Sequence, residues 1–327
     1  MIFITGASGF IGQALTQKLI REGQTVRILL RDPRKTLPPE FQKAEIVIGD
    51  LSNAETLADA MKGCTQVYHL AALARAWAPK PQDFDRANIK GTENILKSAQ
   101  KAEVKRLVYT STVMTLGPTD DFIADESSHF SNRVISHYQR TKIEAEKRIT
   151  HFLDKGPNII IASPGLVYGP GREIRSNSFN RVLLDYLTGK PVFIPGKGSQ
   201  SLNVVYIDDV VDGLIRVAEQ GQNGNRYILG GENIKLNDLE GLIQEVTGLK
   251  HKVRYVPFWT ARTAGLIEHF RARLTGNTPR LTWKAIEAYK HSWVYSSEKA
   301  INEVGYRPRS LKEGIAQTCE WIKTLEM

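Results

Sequence analysis

Three glycines at three-residue intervals, Gly6, Gly9 and Gly12, constrain this chain more than any other feature. They follow the short apolar run Met1–Thr5, which predicts a strand that is buried on both faces. After them the apolar residues take helical spacing, and Gly23 predicts the end of that helix. A strand that turns into a helix through glycines exposes backbone N–H groups that can bind a pyrophosphate. In this setting GxxGxxG predicts nucleotide binding rather than an ordinary tight turn.

The bulk composition is that of a globular protein, with 41% hydrophobic and 24% charged residues. Its 327 residues predict one large α/β domain with a smaller lobe, and no apolar stretch is long enough to cross a bilayer. Cys64 and Cys319 lack metal-type spacing, and the N-terminus lacks the layout of a signal peptide. We therefore expect a cytoplasmic protein with reduced cysteines and no membrane span.

The net charge of +9 raises the question of a nucleic-acid partner. Residues 251–310 hold eleven Lys/Arg and four Asp/Glu, which is +7 of that charge. This stretch lacks the basic and aromatic arrays of nucleic-acid modules, so we expect a solvated basic surface and no nucleic-acid partner. The less favoured alternative is an anionic membrane surface or an acidic substrate near Arg262, Arg271 and Arg273.

Short apolar strands alternate with helical stretches along the first half of the chain. The predicted strands after the first are Thr25–Arg31, Glu45–Asp50, Gln66–Ala72, Arg106–Thr112 and Asn158–Val167, and the predicted helices are Asn53–Lys62, Gln82–Lys101 and His137–Lys155. Such alternation predicts right-handed crossovers and a parallel sheet covered on both faces. We therefore expect a Rossmann-type doubly wound α/β fold, with residues 1–170 as the nucleotide-binding core.

Beyond Gly169 the alternation loosens. The predicted elements are the helices Ser178–Leu187, Asp208–Glu219 and Ser310–Leu325, the extended segment Pro191–Pro195 and the strand Arg226–Leu229. We expect residues 171–327 to form mainly a smaller mixed lobe that binds substrate, with segments at about 204–231 returning to the core. Such a lobe over the carboxyl ends of the strands forms the wall of a cleft.

Tyr138 and Lys142 form the string YxxxK on a predicted helix, where residues i and i+4 share a face. Ser136 and Gln139 have capping-box spacing, which predicts that Tyr138 lies in the first turn. An ammonium close to a phenol favours the phenolate, so we expect Lys142 to lower the pKa of Tyr138. Such a tyrosine can protonate a developing alkoxide or deprotonate an alcohol.

The string YxxxK is weak evidence by itself, because it occurs three times. The other two occurrences are Tyr186/Lys190 and Tyr295/Lys299. Gly189 and Pro191 predict a helix end at the first of these, and the second lies in the basic C-terminal part with no nucleotide-binding strand before it. Only Tyr138 follows a strand of the predicted parallel sheet, so the geometry selects it.

A hydroxyl-rich segment, Thr110–Thr112, ends the predicted strand before Tyr138. In a parallel sheet this strand end faces the same crevice as the glycine turn. The functional interpretation is a hydroxyl, on Ser111 or Thr112, that holds a substrate oxygen beside the tyrosine. The alternative is ordinary turn chemistry, which many strand ends show.

Eight segments between Met1 and about Gly231 together resemble one family. They are TGASGFIG from Thr5, GDL from Gly49, HLAA from His69, NIKGTENIL from Asn88, YTST from Tyr109, YQRTK from Tyr138, PGLVYGPG from Pro164 and VYIDDVVDG from Val205. The chain resembles an extended short-chain dehydrogenase/reductase of the NAD-dependent epimerase/dehydratase superfamily. Within it, the chain is most similar to the branch of dihydroflavonol-4-reductases and 3β-hydroxysteroid dehydrogenases.

The resemblance implies an NAD(P)-dependent oxidoreductase acting on CH–OH groups, with Tyr138 as the acid/base and Lys142 on the nicotinamide ribose. The hydroxyl member of the catalytic set is then Thr112, or Ser111 if the register is off by one. The implied cofactor-binding residues are Gly6, Ser8, Gly9, Phe10, Ile11, Gly12, Arg31, Asp50, Leu51, Leu70, Ala71, Ala72, Tyr138, Lys142, Pro164 and Val167. The resemblance gives Asn88 a structural role and the whole protein a homodimeric form.

The end of the second strand bears on the choice between NAD and NADP. An NAD site requires a carboxylate there for the ribose hydroxyl. The family register instead places Leu30 there, followed by Arg31, which can stack on adenine and pair with a 2′-phosphate. Asp32 lies about twenty residues after Gly12, which is the spacing expected of an NAD site. Strand alternation and register favour Arg31, so we expect NADP, with NAD as the alternative.

Sugar-nucleotide epimerases and dehydratases, which share this fold, hold a substrate diphosphate with an arginine where this chain has Leu202. Ser163 replaces a second arginine of that kind. We therefore expect an oxidoreductase that interconverts a ketone or aldehyde and its alcohol on a small, fairly apolar substrate.

Two other functions stay open. An epimerase or dehydratase with tightly bound NAD would need another cation, at Arg172, Arg175 or Arg181. A non-catalytic nucleotide sensor has no need of the hydroxyl, tyrosine and lysine set. The candidate apolar pocket residues are Trp77, Phe179, Phe258 and Trp259, each of which could equally pack in the core.

Overall fold

The protein is described from a computed structural model that covers residues 1–120, 122–130, 132–171, 177–251, 253–275, 279 and 282–325. Within these residues the chain forms three β-sheets with helices around them. The strands are β1 (Ile2–Thr5), β2 (Val26–Leu30), β3 (Glu45–Ile48), β4 (Gln66–His69), β5 (Arg106–Thr110), β6 (Asn158–Pro164), β7 (Leu166–Tyr168), β8 (Val192–Pro195), β9 (Ser201–Tyr206), β10 (Arg226–Leu229), β11 (Glu232–Lys235) and β12 (Val253–Val256).

The helices cover both faces of the largest sheet and one side of the others. They are α1 (Phe10–Arg21), α2 (Ala54–Met61), α3 (Gln82–Phe84), α4 (Gly91–Lys101), α5 (His137–Thr150), α6 (Ser178–Leu187), α7 (Ile207–Gln220), α8 (Leu236–Thr247), α9 (Phe258–Thr275), α10 (Trp283–Ala288), α11 (Glu298–Val304) and α12 (Leu311–Leu325). Two 3₁₀ turns (Pro39–Lys43 and Val113–Leu116) and a π-helical segment (Asp85–Lys90) complete the set.

The main sheet has seven parallel strands in the order β10-β6-β5-β4-β1-β2-β3. The strand order reverses between β1 and β4, because the chain adds strands first on one side of β1 and then on the other. This order confirms the Rossmann-type doubly wound fold. In such sheets ligands bind outside the carboxyl ends of the strands at the reversal point.

Alternate residues of the main strands enter two separate cores. Ile2 and Ile4 of β1 belong to the core under α1 and α7, whereas Phe3 belongs to the core under α2, α4 and α5. All four residues of β1 are buried, as expected for a parallel strand covered on both faces. The apolar run at the N-terminus therefore forms an inner strand of the main sheet rather than an edge strand.

A smaller mixed lobe packs beside the main sheet. Its three-stranded sheet has the order β11-β9-β7, in which β9 is parallel to β7 and antiparallel to β11. A separate parallel pair joins β8 and β12. The strand β10 returns to the main sheet beside β6, as predicted, while the division of the chain at residue 170 stays a prediction.

The predicted strand Asn158–Val167 is wrong in one respect, because it is two strands in two different sheets. It is interrupted at Gly165, where a Cβ atom would lie 2.3 Å from Asn203 Oδ1 on β9. The missing side chain lets the chain leave the main sheet and run beside β9 as β7. The helix predicted for His137–Lys155 is also shorter, ending at Thr150 and continuing as turns.

The stretch predicted as one helix from Gln82 to Lys101 contains the π-helical segment. Its buried residue Asn88 accepts a hydrogen bond from Leu73 N at 2.7 Å and donates from Nδ2 to Thr141 Oγ1 at 2.9 Å. The widened turn thus joins the segment after β4 to α5, and π-turns of this kind are frequent at functional sites. No helix in the described ranges is long and apolar enough to cross a membrane.

We expect Gly12→Ala to lower the free energy of unfolding by about 3 kcal/mol, because overpacking against an immovable atom is costly. A Cβ at position 12 would lie 2.1 Å from the backbone oxygen of Gly6. Gly241→Ala on α8 is the matched control, since a Cβ there meets no atom within 4 Å. The control should gain about 0.5–1 kcal/mol from helix propensity. Urea unfolding measures both, and a Gly12→Ala protein as stable as the parent would contradict the packing.

Candidate active site

The turn between β1 and α1 packs directly against the chain leaving β4. Gly6 has φ +75°, and a Cβ there would lie 2.6 Å from Ala71 N and 2.8 Å from Leu70 C. The Gly9 amide donates to Gly6 O at 2.9 Å, which closes the turn. Because position 12 also contacts this turn, the two outer glycines of the predicted triplet have no room for a side chain. Leu70–Ala72 therefore lie beside the glycine turn, at the reversal point of the sheet.

The first turn of α1 has free amide groups. Its N-cap residue, Gly9, is extended, no side chain caps the helix, and no acidic residue lies in the first turn. The N–H groups that follow Ser8 and Gly9, including those of Phe10 and Ile11, therefore point toward the crevice without an intrahelical partner. This donor set fits the pyrophosphate of a dinucleotide, because a helix N-terminus favours an anion.

The ends of β2 and β3 hold three exposed cations, Arg31, Arg34 and Lys35, and two carboxylates, Asp32 and Asp50. Asp32 is already paired with Arg34, whose Nε and Nη2 donate to it at 3.0 and 3.1 Å, and this hydrogen bonding lowers the pKa of Asp32. Burial works against ionisation of Asp50, but the Ser52 amide at 2.9 Å and the charge of Arg31 lower its pKa overall. Arg31 therefore lies near both carboxylates at the rim of the crevice.

The remaining cofactor candidates occupy the same edge of the sheet or its border. Leu51 packs against Gly91, where a Cβ would lie 3.0 Å from Leu51 Cδ1. Pro164 is the last residue of β6, and Val167 lies in β7, across the break at Gly165. Leu51 and Pro164 therefore lie at the carboxyl ends of β3 and β6, whereas Val167 lies in the smaller sheet.

A buried histidine supports the end of β4. His69 Nδ1 lies 2.7 Å from Thr5 Oγ1, and its Nε2 lies 3.2 Å from Thr92 Oγ1. Burial and, to a smaller extent, the charge of Lys142 lower the pKa of His69 to about 3. The neutral imidazole therefore links β1, β4 and α4 and is a structural group rather than a proton carrier.

The hydroxyl, phenol and amine meet at the end of β5. Ser136 Oγ accepts from Gln139 N at 3.0 Å, so the predicted cap forms and Tyr138 lies in the first turn of α5. The hydroxyl of Thr112 is close enough to the phenol of Tyr138 to affect its pKa. Lys142 donates from Nζ to Thr110 O at 2.7 Å and lies 4.0 Å from the centre of the Tyr109 ring.

The pKa values differ from the sequence-based expectation. Burial raises the pKa of Tyr138 to about 12, against a hydrogen bond from Thr112 that lowers it, and the charge of Glu146 raises it further. Burial also lowers the pKa of Lys142 to about 7, while Glu146 raises it. The prediction that Lys142 lowers the pKa of Tyr138 is wrong for this structure, because burial of the phenol raises that pKa and Lys142 is not among the groups that shift it. At neutral pH the phenol keeps its proton and the amine is partly neutral.

Sequence reasoning missed a buried ionic cluster behind these residues. Glu146, 1% exposed, accepts a hydrogen bond from Ser111 Oγ and forms a salt bridge with Arg226 of β10. Arg226 also donates from Nη1 to Thr115 Oγ1 at 2.8 Å. Burial raises the pKa of Glu146, against the opposing charges of Arg226 and Lys142 and the Ser111 hydrogen bond. The only available signal was the spacing of Tyr138, Lys142 and Glu146 at i, i+4 and i+8.

The other two YxxxK strings have structural tyrosines. Tyr186 donates to Leu249 O at 3.1 Å near the end of α6, and Tyr295 donates to Gly117 O at 2.6 Å. Both side chains are fully buried in apolar clusters. The predicted helix end beside Lys190 is confirmed, since α6 ends at Leu187.

The residues named for a sugar-nucleotide substrate offer little positive charge. Leu202 packs among apolar residues and bridges to Trp293. Arg181 pairs with Asp185, with Nε 3.6 Å from Oδ2, whereas Arg172 and Arg175 lie outside the described residues.

The candidate pocket aromatics differ in burial. Phe179 packs in the core on Tyr168, with ring centroids 4.7 Å apart. Trp77 and Phe258 are half-buried, and Trp259 faces solvent.

Comparison with known proteins identifies relatives over nearly the whole chain. The profile described as "NAD dependent epimerase/dehydratase family" matches residues 2–230. A protein of Synechocystis sp. that carries the provisional name dihydroflavonol 4-reductase is 30% identical, over 98% of this chain and 94% of its own length. The 4-hydroxy-2-methyl-3-oxo-4-farnesyl-3,4-dihydroquinoline-1-oxide ketoreductase of Stigmatella aurantiaca is 29% identical, over 94% of this chain and 92% of its own.

Solved structures are also similar to this chain over nearly its whole length. The crystal structure of gox2253 has a TM-score of 0.82 and 32% identity, covering 99% of this chain and 98% of that one. MoeE5 in complex with UDP-glucuronic acid and NAD has a TM-score of 0.76 and 26% identity, covering 99% of both chains. The resemblance inferred from the sequence is therefore confirmed, as is an NAD(P)-dependent enzyme of the oxidoreductase class acting on CH–OH groups.

We expect Arg226→Met to lower the free energy of unfolding by about 3–5 kcal/mol, because it leaves a buried carboxylate without its counter-charge. Arg226 lowers the pKa of Glu146, so its removal raises the folded-state pKa further above the ordinary 4.5. The folded state then holds a proton that the unfolded state releases, and the loss grows as the pH rises above 4.5. Denaturant unfolding at pH 5 and pH 8 measures this.

The control for this experiment is Arg226→Met combined with Glu146→Gln. A neutral amide can still accept from Ser111, so the double variant should recover part of the stability and lose the pH dependence. Equal losses in both variants at both pH values would show that Arg226 stabilises the fold only by packing.

Proposed function

We propose that this chain, which belongs to the NAD-dependent epimerase/dehydratase family, is an NADP-dependent oxidoreductase that interconverts a ketone or aldehyde and its alcohol. The observation that carries the proposal is that Thr112, Tyr138 and Lys142 come together at the carboxyl end of β5, where Lys142 Nζ lies 2.7 Å from Thr110 O and the buried phenol is protonated. A proton donor held at the carboxyl edge of the sheet, beside the glycine turn, suits reduction of a carbonyl group.

Tyr138 acts in this proposal as the acid that gives its proton to the carbonyl oxygen of the substrate. Thr112 donates a hydrogen bond to the same oxygen and orients it. The position of Ser111 supports this choice, because its hydroxyl donates to Glu146 and is not available to a substrate. NADPH, when bound, supplies the hydride. In the reverse direction the phenolate accepts the proton of the alcohol.

Lys142 is the residue that binds the cofactor ribose in this proposal. Its ammonium would hold the ribose hydroxyls. The contacts of Nζ with Thr110 O and the ring of Tyr109 fix the side chain at the end of β5. A pKa of about 7 lets this amine gain or lose a proton near neutral pH.

NADP is supported by the charges at the end of β2. A carboxylate that recognised the NAD ribose would have to leave Arg34, with which Asp32 forms a two-point pair. Arg31 is exposed in the same turn and matches a 2′-phosphate. The first turn of α1 would hold the pyrophosphate, and Asp50 and Leu51 would border the adenine.

The substrate is proposed to be small and fairly apolar. The Stigmatella aurantiaca relative is named as the ketoreductase of a farnesylated ring compound. The apolar setting of Leu202 offers no cation for a diphosphate. We further propose a homodimer and a cytoplasmic location, of which sedimentation velocity tests the first.

A nucleotide-sugar epimerase or dehydratase that holds NAD tightly is the second candidate. It is supported by the 26% identical MoeE5, whose structure contains UDP-glucuronic acid and NAD. Thermal shift with UDP- and GDP-sugars against apolar ketones, each with NADPH and NAD, separates the two. Stabilisation by a UDP-sugar together with NAD would support the epimerase.

Tyr138→Phe should lower kcat by a factor of about 10²–10⁴ and leave cofactor affinity largely unchanged, because it removes the proton donor and little else. Tyr186→Phe is the matched control, since Tyr186 begins another YxxxK string but its hydroxyl donates to Leu249 O, away from the candidate site. Steady-state kinetics with a panel of ketones and NADPH titration measure both. Substantial turnover by Tyr138→Phe would defeat the mechanism.

NADPH should bind more tightly than NADH, and Arg31→Ala should weaken NADPH binding by about tenfold or more while leaving NADH binding nearly unchanged. One charge-assisted hydrogen bond to the 2′-phosphate accounts for a change of this size. Arg21→Ala at the far end of α1 is the control for a general loss of positive charge. Fluorescence titration of the parent and both variants with each cofactor gives the six dissociation constants. Equal loss for the two cofactors would show that Arg31 does not select between them.

A further inference from the structure

The helix α9 carries a row of large apolar side chains on its solvent side. Trp259, Leu266, Ile267, Phe270 and Leu274 follow one another at i, i+7, i+8, i+11 and i+15, which places them within about 100° of the helix circumference. Their exposed fractions are 72%, 40%, 64%, 63% and 88%. We call these five residues the α9 stripe.

The opposite side of the same helix carries small residues and faces the protein. Ala261 and Ala272 are buried, and a Cβ at Gly265 would lie 2.9 Å from Ile286 Cδ1 and 3.0 Å from Trp283 N. The helix α9 therefore docks closely on α10 through its small face. This is the reverse of an ordinary surface helix, whose large apolar side faces the core. Packing within the described chain does not account for the α9 stripe.

The surroundings of the stripe are positively charged. Arg262 and Arg271 are exposed on its two flanks, and Arg254 is exposed on the strand before the helix. Glu268 pairs with Arg271, with Nη2 2.8 Å from Oε2, and is the one acidic residue of α9. Residues 251–310 contribute +7 to the sequence charge. Apolar side chains flanked by arginine match an interface that is apolar inside and negative at its surface.

The helix that carries the stripe is connected to the candidate active site through α10. Through Gly265, α9 packs on Trp283, which begins α10. The neighbouring Lys284 is close enough to His137 to contribute, after burial, to lowering the pKa of that imidazole. His137 begins α5 and directly precedes Tyr138. The unit formed by α9 and α10 thus connects the stripe to the helix that carries the candidate acid.

We propose that α9 is a membrane-surface helix, which inserts its stripe into the headgroup region of a bilayer rich in anionic phospholipid. The helix lies in the plane of the interface, its small face remains on α10, and Arg262 and Arg271 contact the lipid phosphates. The protein is thereby held at the surface without a spanning segment. This role at the membrane surface is independent of the reaction proposed above.

The test is vesicle flotation with the full chain and no cofactor or substrate. Large unilamellar vesicles of phosphatidylcholine alone are compared with vesicles containing about 30 mol % phosphatidylglycerol, at low and high salt. Wild-type protein should float with the anionic vesicles at low salt and dissociate as salt screens the arginines. No binding to anionic vesicles at low salt would overturn the proposal. Since no turnover is measured, this result is separate from the success or failure of the proposed function.

The decisive variant is Ile267→Glu combined with Phe270→Glu. Each large apolar side chain withheld from the interface reduces partitioning on the order of tenfold, and the added charges repel anionic lipid, so binding should fall by about a hundredfold or more. Its matched control is Ile46→Glu combined with Ile48→Glu, which changes two exposed isoleucines of β3 by the same charge. The control should float like the wild type. Equal losses in the two variants would overturn the assignment to α9.

Arg262→Gln separates the electrostatic part of the interaction. It should weaken binding to anionic vesicles about fivefold, as expected for one basic residue near the surface, and leave the affinity for vesicles of phosphatidylcholine alone unchanged.

Sedimentation velocity without lipid tests whether a second copy of the chain covers the stripe. A wild-type dimer that Ile267→Glu/Phe270→Glu converts to monomer, with no vesicle binding by either, would show that a second copy covers the stripe and would overturn the membrane assignment. Circular dichroism confirms that each variant is folded.

Discussion

The backbone contact between the turn after β1 and the chain leaving β4 organises the molecule. A Cβ at Gly6 would meet Ala71 N at 2.6 Å, and one at Gly12 would meet Gly6 O at 2.1 Å, so hydrogen atoms alone fit at these points. This contact lies where the strand order reverses, and it leaves the first amides of α1 uncapped. The free donors of the crevice therefore result from the same close packing that fixes the central strands.

A second constraint is the buried charge of Glu146. Its partners come from three separate parts of the chain: Ser111 after β5, Lys142 one turn earlier on α5, and Arg226 at the start of β10. The same carboxylate that requires this compensation raises the pKa of both Tyr138 and Lys142. Burial of the phenol, with a smaller contribution from this carboxylate, thus keeps the candidate acid protonated.

Much of this could be predicted from the sequence, because the informative signals were local. The glycine turn, the cap at Ser136 and the alternation of strands and helices each depend on neighbours within a few residues, and the structure agrees with them. The errors came from long-range effects. The break at Gly165 depends on Asn203, and the pKa of Tyr138 depends on burial, which no spacing reveals. Arg226 gave no signal because its partner is eighty residues earlier.

The position of Arg226 on the last strand of the main sheet has a consequence for the order of assembly. Residues 1–170 contain every candidate catalytic side chain, yet without β10 they leave the edge of β6 unpaired and Glu146 without its guanidinium. Synthesis on the ribosome runs from the N-terminus, so the first half of the chain emerges with an open sheet edge and an uncompensated charge in its core. The second half is therefore needed to complete the main sheet and to compensate the buried carboxylate of the first half.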